Sequence, residues 1–268
     1  MTSGFFSRTS ERVSHDGRTT EHSDMLLKRC RFPYDYAKTA IRPGSLTLDL
    51  GSGDGFGAGR LAGALKIVSV DSDRKTMKAQ RAATTAKEHA MAVSRAESLP
   101  FKEGVFDAVL SFQLIEHLSD DDAFASEASR VLSRAGVMYL TSPNRLLRLK
   151  PGENPWNRFH VREYDKKALQ EVLHPHFKRI EFFGVTATPE IMEIEMERIR
   201  QIRRISSLDV LNLRAKMPEW LRYCVAEGMK KVAGGKNGKA PAVEPRPDGF
   251  KLSKDMDGCL DILAVCRR

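Results

Sequence analysis

The sequence predicts an α/β chain with a mostly parallel central sheet, and three stretches carry the prediction. The first is Leu46-Thr47-Leu48-Asp49-Leu50, followed by Gly51-Ser52-Gly53-Asp54-Gly55-Phe56-Gly57. Its apolar and β-branched residues read as a short buried strand with an acid near the carboxyl end. Glycines at alternate positions then let the backbone turn sharply and let a ligand lie against the main chain. The second stretch, Lys66-Ile67-Val68-Ser69-Val70-Asp71, is another such strand and also ends on an acid. The third is Val105-Phe106-Asp107-Ala108-Val109-Leu110-Ser111-Phe112, running on into Gln113-Leu114-Ile115-Glu116-His117-Leu118. In open α/β sheets ligands bind in the crevice at the carboxyl ends of the strands, where both acids fall.

The glycine stretch is a nucleotide-type loop, and its spacing narrows the ligand. A phosphate-binding P-loop needs Gly-Lys-Ser/Thr at its end, which is absent. The dinucleotide fingerprint fails when started at Gly51, because Phe56 fills the last slot; from Gly53 it passes only in its loose form, ending on Ala58. Asp71 lies about twenty residues beyond the loop, where an acid can accept hydrogen bonds from both ribose hydroxyls. That feature is shared with NAD enzymes, so it points to an adenosine ribose and not to one cofactor. What stands is Asp-x-Gly-x-Gly-x-Gly over Asp49, Gly51, Gly53 and Gly55. It resembles motif I of the class I S-adenosylmethionine (SAM) methyltransferases, and the Phe106–Leu118 run resembles their fourth strand. With the three pieces in register the chain is identified as a member of that family, similar to its ubiquinone O-methyltransferase and glycan-cluster branches. The resemblance implies a Rossmann-like sheet of seven strands, helices on both faces and a small helical insertion before the last strand.

Element by element, residues 1–24 are polar and aperiodic and read as a flexible segment. The methyltransferase domain is then expected over 25–268. From Met25, apolar residues recur at helical spacing as far as Ala40, with an interruption at Pro33. Arg31 lies in this segment and resembles the arginine that holds the methionine carboxylate in the ubiquinone branch. Set beside Lys28 and Arg29, it reads equally as a surface cation. Helices are expected over Phe56–Ala64 and, capped by Asp73, to His89. The third strand covers His89–Arg95. Arg95-Ala96-Glu97-Ser98-Leu99-Pro100-Phe101 resembles the family's "D-A-E-x-L-P-F", with arginine where the family's adenine-binding aspartate stands. The adenine contact is therefore expected from the backbone at Ala96 or from Glu97. Ser119–Asp122 opens a helix to about Arg134, Gly136–Ser142 is the fifth strand, and a loop of about twenty residues follows that is long enough to be functional. Asp165 caps a helix to His174, and Phe177–Val185 is the sixth strand. Residues 187–250 form the insertion: an amphipathic stretch around Ile191, Ile194 and Ile199, a second helix from Met217, and a Gly/Lys/Pro linker. Cys259–Cys266 is the last strand, antiparallel in this family.

Composition sets the bounds. The chain of 268 residues holds one sizeable core, and 29% charged residues is ordinary for a globular protein. No apolar run approaches the ~20 residues of a membrane span, and the amino terminus lacks a signal-like apolar core, so a cytoplasmic protein is expected. The four cysteines make no close pair, so they read as reduced thiols and not as a zinc site. Net charge of +9 suits a nucleic acid, a membrane surface or a phosphorylated substrate, or is simply a solvated surface. Against nucleic acid stand the absence of RRM-type aromatic interleaving and of the N-P-P-Y signature of base methylases. The basic amphipathic insertion leaves peripheral membrane contact open.

The resemblance assigns roles. Asp49, Gly51, Ser52 and Gly53 face the amino-acid end of SAM, Asp71 the ribose, and Phe112 flanks the methionyl and adenosyl groups. His117, just past the fourth strand, and His160, in Phe159-His160-Val161-Arg162-Glu163-Tyr164, are the candidate bases for a hydroxyl acceptor. Structural histidines are the competing reading for both. The expected activity is O-methylation of a sugar, glycan or similar hydroxylated acceptor. The alternatives are a quinone-like or lipid precursor at the membrane surface, or a SAM-binding protein that has lost catalysis.

Overall fold

The computed structural model describes residues 21–84, 89–157, 159–207 and 249–268. Its strands are Leu46–Leu50 (β1), Lys66–Asp71 (β2), His89–Val93 (β3), Phe106–Phe112 (β4), Leu132–Pro143 (β5), Arg179–Ala187 (β6), Phe250–Ser253 (β7) and Asp261–Arg267 (β8). They form one eight-stranded sheet in the order β3-β2-β1-β4-β5-β8-β6-β7. The pairs from β3 across to β5 are parallel. The last strand β8 is antiparallel to both β5 and β6, as expected. Strand order reverses between β1 and β4, so the crevice at their carboxyl ends is the topological switch point where such sheets bind ligands.

The sheet has eight strands and not seven. The extra one, β7, pairs antiparallel with β6 through Gly184↔Ser253 to Ala187↔Phe250. Its four residues lie just past the Gly/Lys/Pro linker, too short a run to show a period of its own. Residues of β1, β2, β4, β5 and β8 make the core: Leu48, Leu50, Val70, Val109, Met138, Leu140, Ile262 and Ala264 are all buried. Each large apolar side chain taken out of water contributes roughly 1.5–3 kcal/mol.

The helices are Glu21–Ala40 (α1), Phe56–Leu61 (α2), Arg74–Ala83 (α3), Asp121–Val131 (α4), Arg145–Arg148 (α5), Lys166–Leu173 (α6) and Pro189–Ser207 (α7). Asp73, Asp120 and Asp165 cap α3, α4 and α6, accepting from the N–H of Lys75, Ala123 and Ala168. Of the boundaries that differ from the sequence expectation, four bear on the architecture. First, α1 begins at Glu21 and runs through Pro33 without a break; the contacts of Arg29 and Tyr34 described below anchor it on both sides of the proline. Second, α2 stops at Leu61, because Ala62 is extended and Gly63 takes φ +78°. Third, α3 ends at Ala83, with Thr84 extended. Fourth, β5 starts at Leu132, paired with Phe106, and reaches Gly136 through a register irregularity.

The chain divides into two compact units, Met1–Ala187 with Phe250–Arg268, and Thr188–Gly249. In the second unit α7 carries a buried Glu195 that pairs with Arg198 at 2.9 Å. The expected flexible start, the helix from Met217 and the linker lie outside the described residues, apart from 21–24, which belong to α1. No described helix is long and apolar enough to cross a membrane.

Candidate active site at the carboxyl ends of β1, β2 and β4

Asp49, the penultimate residue of β1, is fully buried. Tyr34 of α1 donates its hydroxyl to Asp49 Oδ1 at 3.0 Å, and Asp49 Oδ2 has no hydrogen-bond partner. Burial pushes this carboxyl up from 3.8 to about 7; the Tyr34 hydrogen bond pulls it back, and the nearby Asp71 charge adds to the rise. The same burial, with Asp49 beside it, drives the Tyr34 phenol well above its ordinary value.

The loop after β1 is tied to the end of β2. Gly51 and Ser52 donate their N–H groups to the Val70 carbonyl at 2.8 and 3.0 Å. Gly53 donates to Asp71 Oδ2 at 3.0 Å, while Asp71 Oδ1 accepts from the N–H of Asp73 at 2.8 Å. Asp71 thus braces the loop and starts α3. Each of its oxygens has a second lone pair for another donor. Ser52 Oγ meets Gln80 Oε1 at 3.3 Å, and Gln80 Nε2 donates to Ser69 Oγ at 3.2 Å. Gly55 sits at φ +83°, and a Cβ there would fall 2.4 Å from Gln80. Gly57 lies under the Tyr34 ring, where a Cβ would stand 1.9 Å from Cζ. Glycine is required at both positions, at one for conformation and at the other for close approach.

Phe112 ends β4 and packs edge-on against Tyr34, with ring centroids 4.7 Å apart. Arg31 lies 5.2 Å from the centroid of Phe56, and its Nε is buried with no hydrogen-bond partner, which is not the setting of a surface cation. Its neighbour Arg29 is buried as well. Its Nε donates to Asp261 Oδ2 at 2.7 Å, joining α1 to the start of β8. Ala96 is buried in the turn after β3. Glu97 pairs with the exposed Arg95 at 2.9 Å, so the arginine that departs from the family pattern engages the carboxylate beside it.

A second cluster stands beyond β4. Gln113 takes φ +55°, a strained conformation for a residue with a Cβ, and turns the chain into the 3₁₀ turn Ile115–His117. Its Nε2 donates to Thr141 Oγ1 and Asp261 Oδ1, both at 3.3 Å. The Glu116 carbonyl accepts from Val161 N–H at 2.8 Å, which brings the loop carrying His160 against this turn. The His117 and His160 ring centroids are 4.7 Å apart and nearly perpendicular. His117 Nδ1 faces the Phe159 carbonyl at 3.0 Å, and His160 Nδ1 faces Glu163 Oε1 at 2.9 Å. Both partners are acceptors, so Nδ1 carries a hydrogen in each ring. Glu163 in turn pairs with Arg148 at 3.2 Å. Glu116, fully buried, accepts from Ser142 Oγ at 3.3 Å.

The structure therefore gathers Arg31, Asp49, Gly51, Ser52, Gly53, Asp71 and Phe112 around one loop, and His117 with His160 around the turn after β4. Sequence reasoning missed Tyr34, Gln80 and Glu163. Only spatial neighbours reveal them, because each is an ordinary helix or loop residue in the sequence.

Comparison with known proteins gives the family. The profile described as "Methyltransferase domain" matches residues 48–140, from β1 into β5. A Mycolicibacterium smegmatis protein named "Probable S-adenosylmethionine-dependent methyltransferase" is 34% identical over 241 residues, covering 87% of this chain and 86% of its own length. A Caulobacter vibrioides ubiquinone biosynthesis O-methyltransferase is 29% identical, over 48% of this chain and 59% of its own. Among solved structures, the Bacillus subtilis YcgJ protein superposes with a TM-score of 0.53 at 17% identity, covering 88% of this chain and 98% of that one. The (4+2)-cyclase SpnF gives 0.56 at 18%, covering 95% and 85%. These two likenesses, which include a protein named for a different reaction, show the fold alone. With a relative of that identity along most of both lengths, this chain belongs to the S-adenosylmethionine-dependent methyltransferase family.

Proposed function

We propose that the chain methylates a hydroxyl oxygen of a sugar, glycan or similar hydroxylated acceptor. The observation that carries the reading is the pair His117 and His160, their rings 4.7 Å apart and each held through Nδ1 by an acceptor, on the turn and loop that follow the carboxyl end of β4.

The residues around the glycine loop fit the SAM that the family uses. A buried carboxylate with one unpartnered oxygen asks for a donor, and Asp49 Oδ2 would meet the ammonium of the amino-acid end. Arg31, whose Nε lacks a partner, would take the carboxylate through its planar fork. Asp71 would accept the ribose hydroxyls while still bracing Gly53. Ala96 would contribute backbone to the adenine, Glu97 being engaged with Arg95. Phe112, its edge fixed by Tyr34, would give the cofactor an apolar wall. SAM bound there supplies a methyl group on a sulfonium, open to in-line displacement. The rest of the task is orientation and removal of the acceptor's proton. His160 has the support a base needs, since Glu163 fixes its tautomer and would stabilise the imidazolium. His117 is the more exposed of the two and is held by a neutral carbonyl.

Incubating the protein with methyl-labelled SAM and cell fractions, then identifying the labelled fraction, tests the acceptor class. Label in a glycan or sugar fraction supports the reading. Label confined to the quinone or lipid fraction overturns it in favour of the second one, for which the match to a ubiquinone-pathway O-methyltransferase speaks. Turnover of H117A and H160A at saturating SAM tests the base: a fall of 10²-fold or more is expected for the residue that takes the proton, and unchanged turnover in both removes that role.

A further inference from the structure

We propose that Glu116, His117 and His160 form a binding site for a divalent transition-metal ion of the zinc type, with one coordination position left open towards the acceptor. Among the described residues, one ligand-type atom from each of these three side chains lies within 4.8 Å of the other two. Two imidazoles and one carboxylate make a donor set that suits such an ion, and three protein ligands with an open position characterise its catalytic sites.

The surroundings argue for a built site and not a chance cluster. An imidazole that ligates metal through one nitrogen ordinarily donates its other N–H to a carboxylate or a backbone carbonyl, which fixes the ring and raises its basicity. Both histidines do this here, His160 to Glu163 and His117 to the Phe159 carbonyl. Glu163 is itself held by Arg148. The Glu116 carboxylate is oriented by Ser142, and its main-chain carbonyl anchors the loop that brings His160 across. Glu116 and His160 are buried, while His117 is partly exposed, so the open side of the cluster lies on the His117 side. Around a four-coordinate zinc with bonds of about 2.1 Å the ligand atoms stand about 3.4 Å apart, so separations of up to 4.8 Å must contract by as much as about 1.4 Å to take up the ion.

The site changes the histidines' part in the chemistry. Ligating through Nε2, neither is a proton acceptor; the ion, as a Lewis acid, lowers the pKa of an acceptor hydroxyl on its open position, and the proton leaves to solvent. This role rests on the hydroxyl-acceptor reading above, whereas metal binding does not.

The test uses the full chain, stripped with chelator, dialysed and titrated with Zn²⁺ and with Co²⁺. One ion per chain by elemental analysis, visible d–d bands from Co²⁺, and a rise in melting temperature on metal addition are expected. H117A and H160A should weaken binding by 10²-fold or more, and E163Q by 10–100-fold. SAM affinity, measured in each variant, reports that the domain is folded; because Glu116 is fully buried, H117A carries the test if E116Q does not fold. Failure to retain a stoichiometric ion, or a Co²⁺ spectrum unchanged in H117A and H160A, overturns the site. Metal binding without transfer to any hydroxyl acceptor overturns the acceptor reading and leaves the site standing. Full-rate transfer by the chelated protein removes the ion's role and leaves the acceptor reading standing.

Discussion

Replacing Asp49 by Asn isolates the cost of holding a carboxylate out of water until a cationic ligand arrives. Burial raises this group from 3.8 to about 7, so the folded protein holds the proton more tightly than the unfolded chain does. The stabilisation from that proton is complete below the unfolded value and is lost as pH rises through about 7. At about 1.4 kcal/mol per pH unit the full loss is on the order of 4 kcal/mol. Asparagine keeps an oxygen for Tyr34 and carries no charge, but leaves a buried amide N–H group unsatisfied, a cost of ~1–3 kcal/mol that does not vary with pH. The stability of D49N relative to wild type should therefore improve between pH 5 and pH 8.5 by about 3 kcal/mol. Urea unfolding of the SAM-free protein at four pH values across this range measures it. SAM binding supplies the second arm: wild-type affinity should fall about tenfold per pH unit below 7, and that of D49N should be weak and flat. A stability difference that stays constant from pH 5 to 8.5 would refute the argument, because it would mean Asp49 is ionised at little cost.

Three further perturbations probe the neighbouring contacts. Y34F removes the Tyr34 hydrogen bond to the Asp49 carboxyl, so the midpoint of the pH-dependent loss should move upward from about 7; an unchanged midpoint speaks against the coupling. G57A drives a methyl group into the Tyr34 ring at 1.9 Å and should cost ~1–3 kcal/mol of stability together with SAM affinity. Most of that cost should vanish in a Y34A background, which a double-mutant cycle by denaturant unfolding reads directly. R29A leaves Asp261 buried without its guanidinium partner and should cost ~3–5 kcal/mol by the same assay. Lysine at this position should restore little, because a point charge cannot reproduce the fork that reaches both Asp261 and the Leu260 carbonyl.

The parts of the site that were legible in the sequence are those whose signal is local. Asp49 with its glycines, Asp71 at a strand end, and the capping residues Asp73, Asp120 and Asp165 each declare themselves within a few residues of their own element. What stayed hidden depends on partners far along the chain. Arg29 reads as one cation in a basic run; it is buried because Asp261, 232 residues away, meets it. Tyr34 follows a proline that suggested a broken helix, yet it lies over Gly57 and bonds Asp49 in an unbroken one. The eighth strand exists because the edge of β6 offers it a partner, which no period in four residues can announce.

The same distinction separates the two halves of the site. The cofactor half is a strand end, a loop and a second strand end, held by register between adjacent parallel strands, so its geometry follows from topology. The half proposed for the acceptor is assembled across the sequence: a 3₁₀ turn after β4 fixes Glu116 and His117, while a loop after β5 delivers His160, fastened by the Glu116 carbonyl and by Glu163. Methyl transfer demands little reactivity from the protein beyond the placement of two partners in line. A family that shares one cofactor can therefore keep the first half fixed and redirect its chemistry through the second. On this argument, transplanting the 144–164 loop from a relative should alter acceptor choice while SAM affinity holds within a few-fold. A collapse of SAM affinity in such a chimera would show that the two halves are one cooperative unit.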